Sequence, residues 1–476
     1  MKQDRPSDPI RWTACQAVDA LAAREVSPQE LITAAFDRIA KVDGVLNALP
    51  THCRARAEAM APAASALAPL HGLPVAVKDL NEVSGVRCTF GSKIYADYVP
   101  DHSDIMVERL EGGGGVPIAK SNTPEFGAGA NTFNEVFGVT RNPWNTDMTC
   151  GGSSGGSAVA LATGQCWLAT GSDLGGSLRT PSGFCNVVGL RPTPGTVPRS
   201  SATLPFGTLA VEGPMGRTVE DVGLMLDAMA GQHAGDPISK PANVPSFRDA
   251  AHNGRAPRRV GYSADLGILP VDPRVRAVTG AAATLFQDIG AEVDETCPDF
   301  TGAAEVFQTL RAAAYVANHR DHLAKHRDLL KPDVVWNIEK GMALTADDIA
   351  AAEIARAALR ARCLAFFETH DLLCCPTAIV PPFPAEQRYV EECDGHRFDN
   401  YVDWLAICSA ITLTGLPAIA VPCGMTDDGL PIGLQLIGPP HGEAQLLGMA
   451  KRFEEATGRA AYVPIDPMPP KSLTAP

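Results

Sequence analysis

From Leu73 onward, short apolar runs alternate with longer amphipathic stretches, and this alternation constrains the fold more than any other feature. Leu73-Pro74-Val75-Ala76-Val77 reads as a buried strand ending at Lys78. Residues 104–111 read as a helix, Val116-Pro117-Ile118-Ala119 as a strand, and Trp167-Leu168-Ala169-Thr170 as another. Further helices are expected near 218–230, 272–289, 302–330, 346–369, 400–412 and 442–456, with strands near 258–262, 371–379, 417–422 and 431–437. Strands and helices interleaved in this way predict an α/β protein with helices on both faces of a sheet. Asp427-Asp428-Gly429, between two apolar runs, predicts a hairpin and therefore a mixed sheet.

The N-terminal part reads as two helices. Ser27 is placed to cap the second, with Pro28 at its first position, Glu30 as capping-box partner and Gly44 as its end. Its apolar stripe is Leu31, Ile32, Ala35, Phe36 and Ile39. A further helical stretch is expected over 54–67, broken at Pro62. No internal repeat is visible, and residues 236–258, rich in Pro, Asn and charge, read as a surface loop.

Composition removes several function classes. The 476 residues carry a formal charge of −14, from 40 basic and 54 acidic side chains. Such a balance disfavours a phosphate backbone as the main partner, because counterion release needs clustered Lys and Arg. No apolar run approaches the ~20 residues needed to span a bilayer, and the N-terminus lacks the apolar core of a signal peptide. The thirteen cysteines form no C-x-x-C pair, and Cys374-Cys375 read as buried thiols. A reducing, cytoplasmic setting without disulfides is expected.

Three segments carry chemistry: Val77-Lys78-Asp79, the run from Gly151 to Ser157, and the run from Gly171 to Arg179. A Gly/Ser cluster is usually a linker, but this one passes directly into an Ala/Val/Leu-rich helical stretch and so lies within a folded domain. A phosphate-binding loop would need Gly-Lys-Ser/Thr at the helix start, which is missing. Gly151-Gly152-Ser153-Ser154-Gly155 also fits the G-x-S-x-G nucleophile elbow of α/β-hydrolases, with Ser153 as nucleophile. That elbow follows a buried strand, whereas residues 142–147 are turn-formers. Gly175-Gly176-Ser177 follows an expected strand, and successive glycines let several backbone N–H groups converge on a developing oxyanion beside a serine. Lys78, if desolvated at its strand end, loses its preference for the charged form and becomes a base.

Together these segments closely resemble the amidase signature family. The resemblance also includes Ser121-Asn122-Thr123-Pro124-Glu125, Asn142-Pro143-Trp144, Gly189-Leu190-Arg191-Pro192-Thr193, and the C-terminal run from Gly429 to Gly438. It implies a single α/β/α domain around a large mixed, twisted sheet. Within it, 1–70 would be an N-terminal helical segment, 71–235 the catalytic core, 236–400 a variable, substrate-shaping part and 401–476 a C-terminal core part. It further implies Ser177 as nucleophile, Ser153 on a cis peptide as proton relay, and Lys78 as base. The N–H groups of Leu174, Gly175, Gly176 and Ser177 would form the oxyanion hole, with Asp173, Arg179 and Ser154 as polar supports. Cys150 departs from the family's usual small residue or proline and reads as packing, not as a second nucleophile.

The implied reaction is hydrolysis of small carboxamides through an acyl-enzyme on Ser177, with esters cleaved too, without metal or cofactor. The expected partner is a small-molecule amide or ester, with no nucleic acid and no membrane; a homodimer is allowed for. A glutamine-hydrolysing subunit of a tRNA-dependent amidotransferase belongs to the same family, and the acidic balance speaks against it. Phe126, Gly127, Ala128, Gly129 and Phe133 are expected to border the acyl pocket, whose small residues and aromatic walls suit an apolar or aryl substrate. Of the aromatics in the variable parts, Phe307, Tyr315, Trp336, Tyr389, Phe398, Tyr401 and Trp404, some are expected in the pocket and others in ordinary packing. His319, His322 and His326 have helical spacing, but their charged neighbours read as a solvated face rather than a metal site.

Overall fold

The computed structural model describes residues 5–63 and 68–470. One sheet of eleven strands runs through the molecule. In chain order these are β1 (Thr51–His52), β2 (Pro74–Lys78), β3 (Val116–Ser121), β4 (Leu168–Asp173), β5 (Val188–Arg191) and β6 (Val211–Gly216), followed by β7 (Arg259–Tyr262), β8 (Glu292–Glu295), β9 (Leu372–Pro376), β10 (Ala418–Met425) and β11 (Pro431–Ile437). Their spatial order is β1-β3-β2-β4-β6-β5-β10-β11-β9-β7-β8. β3, β2 and β4 are mutually parallel, as are β9, β7 and β8; the strands between these two groups pair antiparallel. The expected hairpin is the turn between β10 and β11.

Helices flank the sheet, as its apolar strands require. β2, β3, β9 and β11 are buried along their whole length, so neither face can meet water. The second N-terminal helix, Pro28–Leu46, has the expected Ser27–Glu30 capping box but ends at Asn47, not Gly44. Asn47 takes a left-handed conformation (φ 55°), and its side-chain amide is tied to the carbonyls of Phe137 and Val139, so tertiary contacts fix the end. The stretch expected over 54–67 is a helix, Arg54–Met60, and a 3-10 turn, Ala61–Ala63; its remainder lies outside the described residues.

Several elements were not legible beforehand. β5 and β6 lie in the middle of the sheet, yet read V-G-L-R and V-E-G-P-M-G, without alternation or a β-branched run. The helix Pro332–Met342 follows the expected helix, which spans Ala303–His326 with a 3-10 turn at Arg327–Leu329. The segment 236–258 is not all surface loop: it holds a short helix, Phe247–His252, whose Phe247 and Ala251 are buried. All thirteen cysteines are free thiols, and Cys374 and Cys375 are buried in β9. No described helix is long and apolar enough to cross a membrane.

Candidate active site

The site lies where parallel strands β2 and β4 end side by side. Lys78 closes β2 and has no exposed surface. Its backbone N–H donates to Thr170 Oγ1 on β4 at 2.9 Å. Its Nζ lies 2.7 Å from Ser153 Oγ, 2.9 Å from Ser154 Oγ and 2.9 Å from Ser172 Oγ. A neutral amine has two N–H bonds and one lone pair, so three hydroxyls match its hydrogen-bonding capacity with one of them donating to it. No carboxylate among the described residues is in ion-pair contact with Lys78. Burial brings its pKa down to about 7, against smaller upward pulls from Glu212 and Asp173. The amine is therefore available as a base near neutral pH.

Ser153 sits on a tight loop, and the Gly152–Ser153 peptide is cis. The loop is fastened by Thr132 Oγ1, which donates to Gly151 O at 2.7 Å. It leads into the helix Gly155–Ala162, every residue of which is buried. At Gly156 a Cβ would stand 2.3 Å from the Asn122 backbone nitrogen, so only glycine lets this helix start so close to the chain after β3.

Ser177 sits on a second loop, wrapped around the Asp173 carboxylate that ends β4. Asp173 accepts from the backbone N–H groups of Gly176 (3.0 Å) and Leu178 (3.1 Å), and from Arg179 Nε (3.0 Å) and Nη2 (2.8 Å). Arg191 Nη1 adds a contact at 3.3 Å. Burial opposes the charge on Asp173, yet the two guanidiniums and these hydrogen bonds hold its carboxyl well below the usual range. Arg179 in turn donates to Cys408 O, Gln435 Oε1 and Thr412 Oγ1, fixing the loop to the helix Ala406–Thr414 and to β11. The Ser154 N–H donates to Ser177 O at 3.2 Å and joins the two loops. The Ser177 hydroxyl has no protein hydrogen-bond partner among the described residues, and Ser177 lines a cavity.

That cavity, about 360 Å³, has Ser153, Ser177, Leu174 and Gly175 at its base. One side is mainly aromatic, with Phe90, Phe126, Phe307, Tyr315 and His319. Phe307, Tyr315 and His319 share one stripe of the helix Ala303–His326 with Arg311. Arg311 is buried there and donates to the hydroxyls of Tyr315 (3.1 Å) and Tyr401 (2.7 Å) and to Asn337. The other side is polar, with Asn81, Asp104, Arg199, Ser200 and Glu212. Burial pushes the Glu212 carboxyl up, with Arg199 and Lys78 pulling the other way.

A base, two hydroxyls and a loop of backbone donors therefore converge on one cavity. The Amidase family model matches residues 30–447. The chain belongs to the amidase signature family. It is 34% identical to an acylamidase of Rhodococcus erythropolis over 96% of this chain and 98% of that protein. It is 35% identical to a glutamyl-tRNA(Gln) amidotransferase subunit from Synechococcus sp. (strain CC9605), over 92% and 94%. Among solved structures it resembles a bacterial aryl acylamidase of the amidase signature family, with a TM-score of 0.89 and 26% identity over 95% of this chain and 98% of that one. The chain is thus an amide-hydrolysing enzyme with the amidase signature fold.

At the base of this cavity, Lys78, Ser153 and Ser154 are in direct contact, and Ser177 opens on the same cavity. Of the four backbone donors expected around the oxyanion, the Gly176 N–H is already bound to Asp173. The N–H groups of Leu174, Gly175 and Ser177 have no protein acceptor among the described residues. The nucleophile-elbow alternative fails on the fold. The strand before Ser153, Asn145–Thr149, pairs with Arg141–Asn142 in a two-stranded ribbon and bridges Pro384 at Met148, and it does not join the main sheet. Cys150 is buried, and burial pushes its thiol up to about 12, which fits packing.

Phe126, Gly127 and Gly129 line the cavity, but Ala128 and Phe133 do not. Ala128 is buried in a small separate core with Tyr315, Leu330, Val334 and Ile338. Phe133 is covered by Lys331, whose Nζ stands 4.3 Å from the ring centroid. Of the later aromatics, Phe307 and Tyr315 line the cavity; Tyr401 acts behind it by holding Arg311. The histidine reading is also corrected. His319 and His322 are half-buried, not solvated, and Phe126 packs against both rings at 4.4 and 5.3 Å; His326 alone of the three is exposed, as expected. Tyr95 Oη meets His322 Nε2 at 2.8 Å. Among the described residues no group of three His, Cys, Asp or Glu is placed to hold a metal. The polar wall of Asn81, Asp104, Arg199 and Glu212 was missed because its members are far apart in sequence and carry no motif.

Proposed function

We propose that Ser177 carries the acyl group in hydrolysis of medium-sized carboxamides. The observation that carries this reading is the buried Lys78 amine, 2.7 Å from Ser153 Oγ at the base of the cavity that Ser177 faces. Lys78 in its neutral form takes a proton through Ser153 from Ser177, once the Ser177 side chain turns toward Ser153. Ser177 attacks the carbonyl carbon, and the oxyanion is met by the N–H groups of Gly175, Ser177 and Leu174. The C–N bond breaks as the same relay returns the proton to nitrogen, because an amide anion is too poor a leaving group to depart unprotonated. Water then attacks the acyl carbon and gives its proton to the relay, which passes it to Ser177 Oγ as the C–O bond breaks and the acid leaves. Esters follow the same path with less need of leaving-group protonation.

Phe90, Phe126 and Phe307 support an apolar or aryl acyl group, and Phe307, Arg311, Tyr315 and His319 come from the part of the chain read as substrate-shaping. The names of the relatives, an acylamidase and an aryl acylamidase, point the same way. The test is a panel of acetanilide, benzamide, a nitrophenyl carbamate, a fatty amide and glutamine, given to the purified chain alone. Preference for an anilide or aryl amide, lost in Ser177→Ala, is the expected result. Preference for glutamine would favour the amidotransferase reading instead.

A further inference from the structure

We propose that Asn81, Arg199 and Glu212 form a subsite for a second, uncleaved carboxamide on the substrate. The inference rests on the amidase reading above and adds the substrate class to it. Three buried polar atoms on residues lining this cavity have no protein hydrogen-bond partner among the described residues: Asn81 Oδ1, Arg199 Nε and Glu212 Oε2. Buried polar atoms in folded proteins are nearly always paired, so three unpaired ones on residues that line one cavity mark places where a ligand completes the bonding.

The three groups are held in place by their own chain. The Asn81 N–H donates to Lys78 O at 3.0 Å, which ties it to the end of β2. Arg199 Nη1 donates to Ala210 O at 2.8 Å, just before β6, and its backbone N–H to Asp236 Oδ2 at 3.0 Å. Glu212 lies on β6 in register with Ser172 of β4, whose hydroxyl is one of the three around Lys78. The wall therefore begins one strand away from the reacting groups.

The chemistry of the orphans selects the ligand. Two are oxygens of an amide and a carboxyl and accept; one is a guanidinium N–H and donates. Neither Arg199 nor Glu212 is in an ion pair with a described residue. A cation would be met by Arg199 and an anion by Glu212 and Asp104, so a net charge of either sign is opposed. A carboxamide is neutral and carries donor and acceptor on separate atoms. Its N–H₂ gives to Glu212 Oε2 and Asn81 Oδ1, and its C=O receives from Arg199 Nε.

The test compares succinamide, glutaramide and adipamide with butyramide, valeramide and hexanamide. Ammonia release gives kcat/KM for each on the wild-type enzyme. At least one diamide is expected to exceed its matched monoamide about tenfold or more, beyond the statistical factor of two for its two equivalent amides. Arg199→Met and Glu212→Gln should each reduce that ratio toward two. Titration calorimetry of the same compounds on Ser177→Ala reads binding without turnover, and the favoured diamide should again bind about tenfold more tightly. Equal affinities across all three pairs, or ratios unmoved in both variants, would overturn the subsite. Loss of all hydrolysis with the binding difference intact would instead count against the catalytic reading alone.

Discussion

Lys78 and Lys120 are both buried at the ends of neighbouring parallel strands, yet one faces three hydroxyls and the other a carboxylate. Lys120 is in register with Val77, the residue before Lys78, and its Nζ lies 2.8 Å from Asp79 Oδ1. Burial acts on both, but at Lys120 the pulls of Asp79 and Cys88 together outweigh it and hold that pKa above the ordinary value, whereas Lys78 is brought down. Adjacent parallel strand ends give the two lysines similar settings; the contacted oxygens decide which is drawn toward the neutral form and which is half of an ion pair.

Lys78→Ala is expected to lower amide kcat/KM about 10²- to 10⁴-fold, the usual range for a lost general base, and to affect a nitrophenyl ester less. Lys120→Met should act on stability instead, because it leaves Asp79 buried without its cation, at a cost of about 3–5 kcal/mol. Thermal melts and kinetics of the two variants separate the roles; equal losses of activity and melting temperature in both would contradict the assignment.

The pH profile follows from the lowered Lys78 value. The amine accepts a proton only when neutral, and the neutral fraction grows as pH rises through about 7. Amide kcat/KM should therefore climb with pH below that point and level off above it. Burial lowers His319 to about 3, so this imidazole stays neutral across the range and contributes no titration to the limb. A limb that shifts in His319→Gln would show that the titrating group is not Lys78.

A fluorophosphonate should label Ser177, since its hydroxyl is unengaged and faces the cavity while Ser153 Oγ is held by Lys78. Peptide mapping by mass spectrometry after digestion reads the site. Label on Ser153 would reverse the two roles.

Gly127 has a φ of +71°, and a Cβ there would lie 3.1 Å from Leu80 Cδ1 and 3.4 Å from Ser153 Oγ. Gly127→Leu is expected to exclude bulky acyl groups: the benzamide-to-acetamide ratio of kcat/KM should fall about tenfold or more, of the order that one to two methylenes command in a pocket. The left-handed backbone adds a stability cost of about 1–2 kcal/mol, which a thermal melt registers separately. An unchanged ratio would place the acyl pocket elsewhere.

The local grammar of this chain was legible. The Ser27–Glu30 capping box, the turn at Asp427-Asp428-Gly429 and the burial of β2 depend on residues near one another, and the structure has all three. The lysine and serine motifs were legible because their glycines and hydroxyls are fixed by backbone geometry at single loops. β5 and β6 were not, since Gly and Pro enter a strand there only because its neighbours on both sides supply the pairing.

By itself the sequence determined the alternation of strands and helices outside β5, β6 and the helix Pro332–Met342, the loops that carry Ser153 and Ser177, and the apolar strand that ends at Lys78. Tertiary structure alone decided what each group meets. It engaged Gly176 N–H with Asp173, placed Ala128 and Phe133 outside the cavity, and packed His319 and His322 against Phe126. It also assembled Asn81, Arg199 and Glu212 into one wall. The physical reason is range: propensity, capping and turn formation act over a few residues, whereas desolvation and hydrogen-bond satisfaction depend on side chains that folding brings together from distant parts of the chain.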